Sequence, residues 1–443
     1  MNTYEIIKKK RDGFELAKDE IQYMVDGYTR GDIPDYQMTA FLMSVFFRGM
    51  NSRECVDLTL SMANSGDRIN LSGIQGFKVD KHSTGGVGDK TTLVLAPLVA
   101  ACGGIVAKMT GRELGHTGGT VDKLESIPGM QVEMEKEKFI EIVNRIGVGL
   151  IAQTTRLAPA DKQIYGLRNV TATVDSVPLI ASSIMSKKLS AGADGIVLDV
   201  KTGKGAFMQE YDQALELAKT MVDIGEGAGK KVVALITGMD QPLGYAIGNA
   251  VEVEEAIRIL KGEGFEDLLD LVTELGSQML LVSGVAATVE DARVRIKDAL
   301  KTGKGLVKFG ELIEAQGGDR AIIDDPGLLP QPKKKINVES PASGYVQKID
   351  ALEIGLASKI LGAGRRTKDD LIDPSAGICL KKKVGDPVEK KEPLALFHTN
   401  GDQSRIEPAR EKCVGAYRIG PHREDVPKLL FARISREGVE EFH

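Results

Sequence analysis

Apolar positions in the first 66 residues recur at helical spacing. Ile21, Met24, Val25 and Tyr28 follow the i, i+3, i+4, i+7 rhythm of one buried helix face. Pro34 is placed to open a second helix carrying Phe41, Phe46 and Phe47. Asn51 with Glu54 has the reach of a capping box for a third, which stops near Gly66. From residue 75 the pattern changes to short apolar runs alternating with helices. Ile105-Val106-Ala107, Ile196-Val197-Leu198-Asp199-Val200 and Val232-Val233-Ala234-Leu235-Ile236 read as buried strands, each followed by a glycine-bearing loop and a helical segment. That alternation predicts a parallel α/β sheet, with ligand sites at the carboxyl ends of its strands.

Helical spacing returns between Asp161 and Lys188, loaded with Arg168, Lys187 and Lys188. Periodicity alone leaves open whether this segment rejoins the N-terminal helices. A linker is marked by Asp325-Pro326-Gly327-Leu328-Leu329-Pro330-Gln331-Pro332 and the Lys333-Lys334-Lys335 run. Beyond it, short strands between Gly and Pro turns predict a small β-rich domain. Its turns resemble those of a lipoyl or biotinyl carrier, but no lysine framed by methionines stands at a hairpin tip, so a structural role is expected. Lys201-Thr202-Gly203-Lys204-Gly205 recurs at 301–305, yet a strand precedes the first copy and a helix the second, which marks coincidence rather than a repeat.

A chain of 443 residues exceeds one ordinary core and suggests two or three domains. A formal charge of -5 supplies no basic field for nucleic acid. No run approaches the roughly 20 apolar residues of a membrane span. Met1-Asn2-Thr3-Tyr4-Glu5 turns charged at once, unlike a signal peptide. The four cysteines (Cys55, Cys102, Cys379, Cys413) share no short spacing and read as buried thiols of a cytoplasmic protein.

The chemistry is concentrated in two glycine-rich stretches. One is Lys81-His82-Ser83-Thr84-Gly85-Gly86-Val87-Gly88-Asp89-Lys90-Thr91-Thr92. The other is Thr110-Gly111-Arg112-Glu113-Leu114-Gly115-His116-Thr117-Gly118-Gly119-Thr120. Glycine lets successive N–H groups converge on an anion, hydroxyls add donors, and Lys81, His82 and Arg112 add charge. Each stretch runs into an expected helix, at Thr91–Ala101 and Thr120–Ser126, whose N-terminus adds unpaired N–H groups. Singly, either stretch reads as an ordinary turn, since 50 residues are Gly; together they favour phosphate binding. Asp89 puts Lys90 one place too late for a Walker loop, and Thr91 stands where a dinucleotide fingerprint needs glycine.

With Asp122-Lys123-Leu124-Glu125, the two loops resemble the signature of the thymidine and pyrimidine-nucleoside phosphorylases, most closely the bacterial pyrimidine-nucleoside enzymes. The likeness continues through Ala158-Pro159-Ala160-Asp161-Lys162, Tyr165, Arg168-Asn169-Val170-Thr171-Ala172-Thr173-Val174 and Ser182-Ser183-Ile184-Met185-Ser186-Lys187-Lys188, and covers nearly the whole chain. It implies an α/β protein in three parts. A small discontinuous helical lobe (1–66 and 156–193) carries the pyrimidine side and the contacts of a homodimer. A large α/β lobe with a mixed, mainly parallel sheet (67–155 and 194–330) carries the phosphate side. A β-rich C-terminal domain covers 336–443. The implied reaction is reversible phosphorolysis of a pyrimidine nucleoside (uridine, thymidine or deoxyuridine) to free base and a ribose or deoxyribose 1-phosphate. Three positions depart from the usual signature: Thr110 for Ser, Glu113 for Gly or Ala, and Asn169 where many relatives have Asp.

Carried over by position, the resemblance gives phosphate, the co-substrate, to Lys81, Ser83, Thr92, Lys108, Thr110 and Thr120. It gives the pyrimidine to Arg168, Ser183 and Lys187. Lys187 and Ser183 are four apart and so share one helical face. Arg168 and Lys187 would oppose the charge that develops on the departing base. His82 resembles the candidate acid that protonates a pyrimidine carbonyl oxygen, while His116 is expected to be structural. The resemblance also implies a potassium ion held by the carbonyls of Gly88, Lys90, Leu243 and Ala246 and by the Glu255 carboxylate; oxygen-only ligation suits such a hard cation. The rivals are an anthranilate-type phosphoribosyltransferase, which needs magnesium and an adjacent acidic pair that Asp194 and Asp199 do not form, and a non-catalytic binding protein.

Overall fold

The computed structural model describes residues 1–443 except 113, 114, 116, 117, 155, 366–369 and 443. Its first unit is helical, with Thr3–Arg11, Lys18–Arg30, Asp35–Arg48 and Ser52–Ala63. Asn51 accepts from the Glu54 N–H at 2.9 Å and the Glu54 carboxylate accepts back from the Asn51 N–H at 3.0 Å, the expected capping box. Helices Pro159–Arg168 and Val177–Ser190 return to this unit. Ala160, Ile164 and Leu179 join Ile21, Met24, Val25, Phe41 and Leu58 in one core. The apolar faces settle what periodicity left open, because neither segment buries its stripe alone.

Strands Val79–Ser83, Gly195–Thr202 and Lys231–Gly238 lie side by side and parallel, with Lys81 opposite Val197 and Asp199 opposite Leu235. All eight positions of Gly195–Thr202 are buried, as expected for a strand covered on both faces. A parallel pair, Val106–Thr110 with Val148–Ala152, joins its edge through a bridge between Lys78 and Ile105. Helix Thr91–Ala101 is buried almost throughout, which its uniformly apolar sequence demands. The second expected helix runs Thr120–Glu125.

Beyond the linker, the four-stranded and three-stranded sheets are joined by helices Ala351–Ser358 and Gln403–Ala416. Two strand exchanges tie this unit to the α/β lobe. The final hairpin, Leu430–Ser435 with Gly438–Glu441, leaves this unit and pairs antiparallel with Lys231–Gly238. In return, Ala246–Gly248 of the α/β lobe pairs with Gly377–Leu380. Each strand covers an edge that would otherwise expose unpaired N–H and C=O groups. All four cysteines are free; Cys55 and Cys413 are buried, whereas Cys102 and Cys379 are only half-buried.

The helical unit is organised around one carboxylate. Glu54 accepts from Lys10 Nζ at 2.8 and 2.9 Å and from the Leu16 N–H at 2.9 Å, besides its capping bond. Burial opposes its charge, but Lys10 and the two N–H donors outweigh it and hold the carboxyl below its usual range. That contribution is complete above the unfolded-state value and is lost as pH falls through the lower folded value. Lys10→Met is expected to cost about 3–5 kcal/mol in urea unfolding and to move the acid transition to higher pH, whereas an Ala at the exposed Arg11 changes stability by less than about 1 kcal/mol. Equal effects of the two substitutions would contradict the burial argument.

Candidate functional site

Period-2 alternation along Val79–Ser83 sends Lys81 and Ser83 to one face of the sheet and Asp80 and His82 to the other. On the first face, Lys81 Nζ lies 2.6 Å from Thr91 Oγ1, 3.1 Å from Asp199 Oδ2 and 3.8 Å from Asp89. Asp199 also accepts from Thr237 at 2.6 Å and pairs with Lys201 at 2.9 Å. Burial disfavours the Lys81 charge, but Asp89 and then Asp199 outweigh it and hold the ammonium above its ordinary range.

On the second face, Asp80 is shared by two ammoniums, Lys108 at 3.2 Å and Lys188 at 3.0 Å. Lys188 also donates to the Met109 carbonyl at 3.0 Å, which fastens the helical unit to the sheet, and Lys108 donates to the Lys81 carbonyl. One carboxylate for two buried lysines leaves positive charge in excess. Burial first, opposed by Asp80 but reinforced by Lys188 and Lys81, brings Lys108 down to about 7. Burial and the ammoniums of Lys188, Lys108, Lys81 and Lys187 also hold His82 well below 6.5, so it is a neutral imidazole at pH 7. A resident imidazolium is therefore not what this site presents before an anion enters.

Lys81 and Ser83 lie on strand Val79–Ser83, Lys108 and Thr110 on strand Val106–Thr110, and Thr92 in the first turn of helix Thr91–Ala101; Thr120 opens the short helix after the second loop. The loops are cross-tied by Lys123, which donates to the Asp89 carbonyl at 2.7 Å and pairs with Glu252 at 2.8 Å. Arg112 is not free for an anion as the loop composition suggests, because its guanidinium forms a two-pronged pair with Glu125 at 2.6 and 2.8 Å. Glu113 and His116 lie outside the described residues.

On the helical side, Lys187 Nζ donates to Ser183 Oγ at 3.1 Å and to Asp161 at 2.5 Å, so the four-residue spacing does place Ser183 and Lys187 together. Arg168 is 1% exposed, and its guanidinium donates to the carbonyls of Thr173, Leu179 and Val174 at 3.2, 3.0 and 2.6 Å. It pins the turn between the two returning helices, a use that spacing gave no sign of.

The five expected cation ligands converge, but not around a space for an ion. Lys90 Nζ sits among them, 2.9 Å from the Leu243 carbonyl and 2.5 Å from Glu255 Oε2. Glu255 further accepts from the Tyr245 and Ala246 N–H groups at 2.7 and 2.8 Å. The Gly88 carbonyl accepts from the Lys90 N–H and the Lys90 carbonyl from the Leu93 N–H, both at 2.9 Å. Gly88, at φ +74°, lies so close to the Leu243 carbonyl that a Cβ there would collide with it. Gly88, Lys90, Leu243, Ala246 and Glu255 thus do not fit the potassium site that the resemblance arranges, because a side-chain ammonium already engages two of its donors, the Leu243 carbonyl and the Glu255 carboxylate. Sequence reasoning also missed Asp80, Asp199, Lys201 and Lys123; the pairing of Asp80 with Lys188 spans 108 residues, and no local spacing reports it.

The described residues contain no helix long and apolar enough to cross a membrane. Residues 4–66 match the helical bundle domain of a glycosyl transferase family, residues 75–306 match its a/b domain, and residues 345–420 match the pyrimidine nucleoside phosphorylase C-terminal domain. The chain is 54% identical to the pyrimidine-nucleoside phosphorylase of Geobacillus stearothermophilus over 98% of its own length and all of that protein's. It belongs to the pyrimidine-nucleoside phosphorylase family. Another relative of that name, from Bacillus subtilis (strain 168), is 55% identical over 98% of this chain and the whole relative. A family member from Staphylococcus epidermidis is 56% identical, covering 90% of this chain and 92% of its own. Among solved structures, anthranilate phosphoribosyltransferase from Thermus thermophilus superposes with a TM-score of 0.58 at 18% identity, covering 70% of this chain and 99% of that one. That likeness concerns the fold alone, and it fits the observed helical unit and mixed, mainly parallel sheet.

An NMR titration of the imidazoles checks the electrostatics of this family site, since the chain has only 5 histidines. His82 is expected to titrate well below 6.5 in anion-free protein, and Lys188→Met to move it upward by removing one repelling charge. A His82 titration at or above 6.5 would contradict the geometry described.

Proposed function

We propose that this chain catalyses reversible phosphorolysis of uridine, thymidine and deoxyuridine, giving free pyrimidine and ribose or deoxyribose 1-phosphate. Family membership over nearly the full length supports the reaction class. The observation that carries it to these residues is the shared Asp80: the Lys108–Asp80–Lys188 triad lacks one negative charge, and inorganic phosphate supplies it. Phosphate held by Lys81, Ser83, Thr92, Lys108, Thr110 and Thr120 restores the Lys108 proton and presents one oxygen to the anomeric carbon.

The same anion offsets the ammoniums that keep His82 neutral. With phosphate bound, His82 takes up the proton that it passes to a pyrimidine carbonyl oxygen as the glycosidic bond breaks. Lys187 and Ser183 meet the base from the helical side, and Lys187 opposes the charge gathering on the ring. Arg168 holds the 168–179 turn in the present state and reaches the pyrimidine only if the two lobes close and release its carbonyl partners. Closure excludes water, so that phosphate rather than hydroxide attacks.

The N-terminal unit exposes Tyr4 (60%), Phe14 (63%), Tyr36 (73%) and Phe47 (75%), an apolar load that supports a homodimer formed through the helical lobes. A cytoplasmic setting is in keeping with the four free thiols. The phosphoribosyltransferase reading gains no support from the acidic residues it would use, since Asp199 is engaged by Lys81, Lys201 and Thr237 and Asp194 by Lys78.

Each of the three nucleosides is expected to be cleaved only when phosphate or arsenate is supplied. Lys81→Ala should raise the phosphate KM, whereas Lys187→Ala should lower kcat by about 10²–10³ through lost leaving-group stabilisation. Release of base without phosphate, or activity confined to pyrophosphate with magnesium, would overturn the assignment.

A further inference from the structure

The turn at 242–246 is gripped by two ammoniums. Lys90, in the first glycine-rich loop, donates to the Leu243 carbonyl and Glu255 with its side chain fully buried. Lys383, from the C-terminal unit, donates to the Pro242 and Gly244 carbonyls at 2.7 and 3.0 Å and to Asp267 at 2.7 Å. The fit around Lys90 is close. A Cβ on Gly244, at φ +64°, would stand 2.8 Å from Lys90 Nζ and 2.9 Å from Glu255 Oε2. Such a pocket of two carbonyl-rich turns and a carboxylate is chemically suited to any monovalent cation, and here a covalently attached one fills it.

We propose that the Lys90 ammonium takes the place of the inorganic cation, making Lys90 a positioning residue that locks the phosphate loop to the 242–246 turn without potassium. The inference rests on the phosphorylase reading only for its kinetic consequence; the structural lock stands without it. Lys90 sits immediately before helix Thr91–Ala101 and one residue after Asp89, whose carbonyl Lys123 holds. Fixing Lys90 therefore fixes the backbone that presents Thr91 and Thr92. The buried ammonium is answered at close range by Glu255 Oε2 at 2.5 Å and by the Leu243 carbonyl at 2.9 Å. An ammonium on a tether binds at no entropic cost of capture from solution, and it is not lost by dialysis.

The test is a salt series at constant ionic strength, with potassium, sodium or tetramethylammonium chloride, read by thermal unfolding and by the phosphate KM. Wild-type protein is expected to give the same Tm and the same KM in all three salts. Lys90→Thr removes the ammonium and opens its space; it should melt roughly 5 °C lower in tetramethylammonium and recover, saturably, with potassium. Lys90→Met removes the charge but fills the space, and should melt low in every salt. A saturable rise in wild-type Tm with potassium, or a Lys90→Thr protein indistinguishable from wild type in tetramethylammonium, would overturn the proposal. Should Lys90→Thr fail to fold, the wild-type series decides alone. The melts need no turnover, so a failure of the phosphorylase assignment would leave this result readable.

Discussion

A lysine ammonium is costly to remove from water, and the loop end of this sheet buries six of them: Lys81, Lys90, Lys108, Lys123, Lys188 and Lys201. Each ion forfeits several kcal/mol of hydration, which only close carboxylates and carbonyls offset. The fold meets that demand with Asp80, Asp199, Glu252 and Glu255, all buried, and with Asp89 at the loop. These pairs contribute little net stability compared with an apolar core of the same volume. What they provide is position and charge: each ammonium is aimed, and removing a partner would strand its mate. The loops hold their shape because Lys123 and Lys90 stitch them to helix Ala250–Leu260, and the helical unit is fastened to the sheet through Lys188.

The compensation is uneven, and the unevenness has chemical meaning. Asp199 and Asp89 answer Lys81 and Lys201 in equal number, whereas Asp80 alone answers Lys108 and Lys188. Lys108 yields its proton near neutrality, and His82 on the same face stays neutral. On the proposed reading, phosphate entering there recharges both, so that its binding and the protonation of His82 become one event.

Much of this is legible in the residues. Helical periodicity marks the N-terminal unit, the Asn51–Glu54 box marks a helix start, and apolar runs mark the central strands. The glycine-rich stretches fall at strand ends, as chain-local chemistry can indicate. The rest depends on contacts that no local pattern records. Asp80 and Asp199 look like ordinary strand carboxylates until the sheet sets lysines beside them. Arg112 looks like an anion ligand until Glu125 is found to hold its guanidinium, and the bonds of Arg168 to three carbonyls have no signal in its spacing. Lys90 is expected to offer only its backbone carbonyl, yet its side chain fills the site. The last hairpin reads as part of the C-terminal unit because pairing register with Lys231–Gly238 is a property of the assembled sheet.

In the proposed reaction phosphate, oriented by the Lys81 and Lys108 clusters, attacks the anomeric carbon itself. Running the reaction with phosphate labelled in every oxygen by oxygen-18, in ordinary water, tests this directly by mass spectrometry of the sugar phosphate. Attack by phosphate predicts a sugar 1-phosphate that retains every labelled oxygen, with the bridging atom among them and no free sugar formed. A product short of one label, or free sugar carrying solvent oxygen at its anomeric carbon, would contradict it.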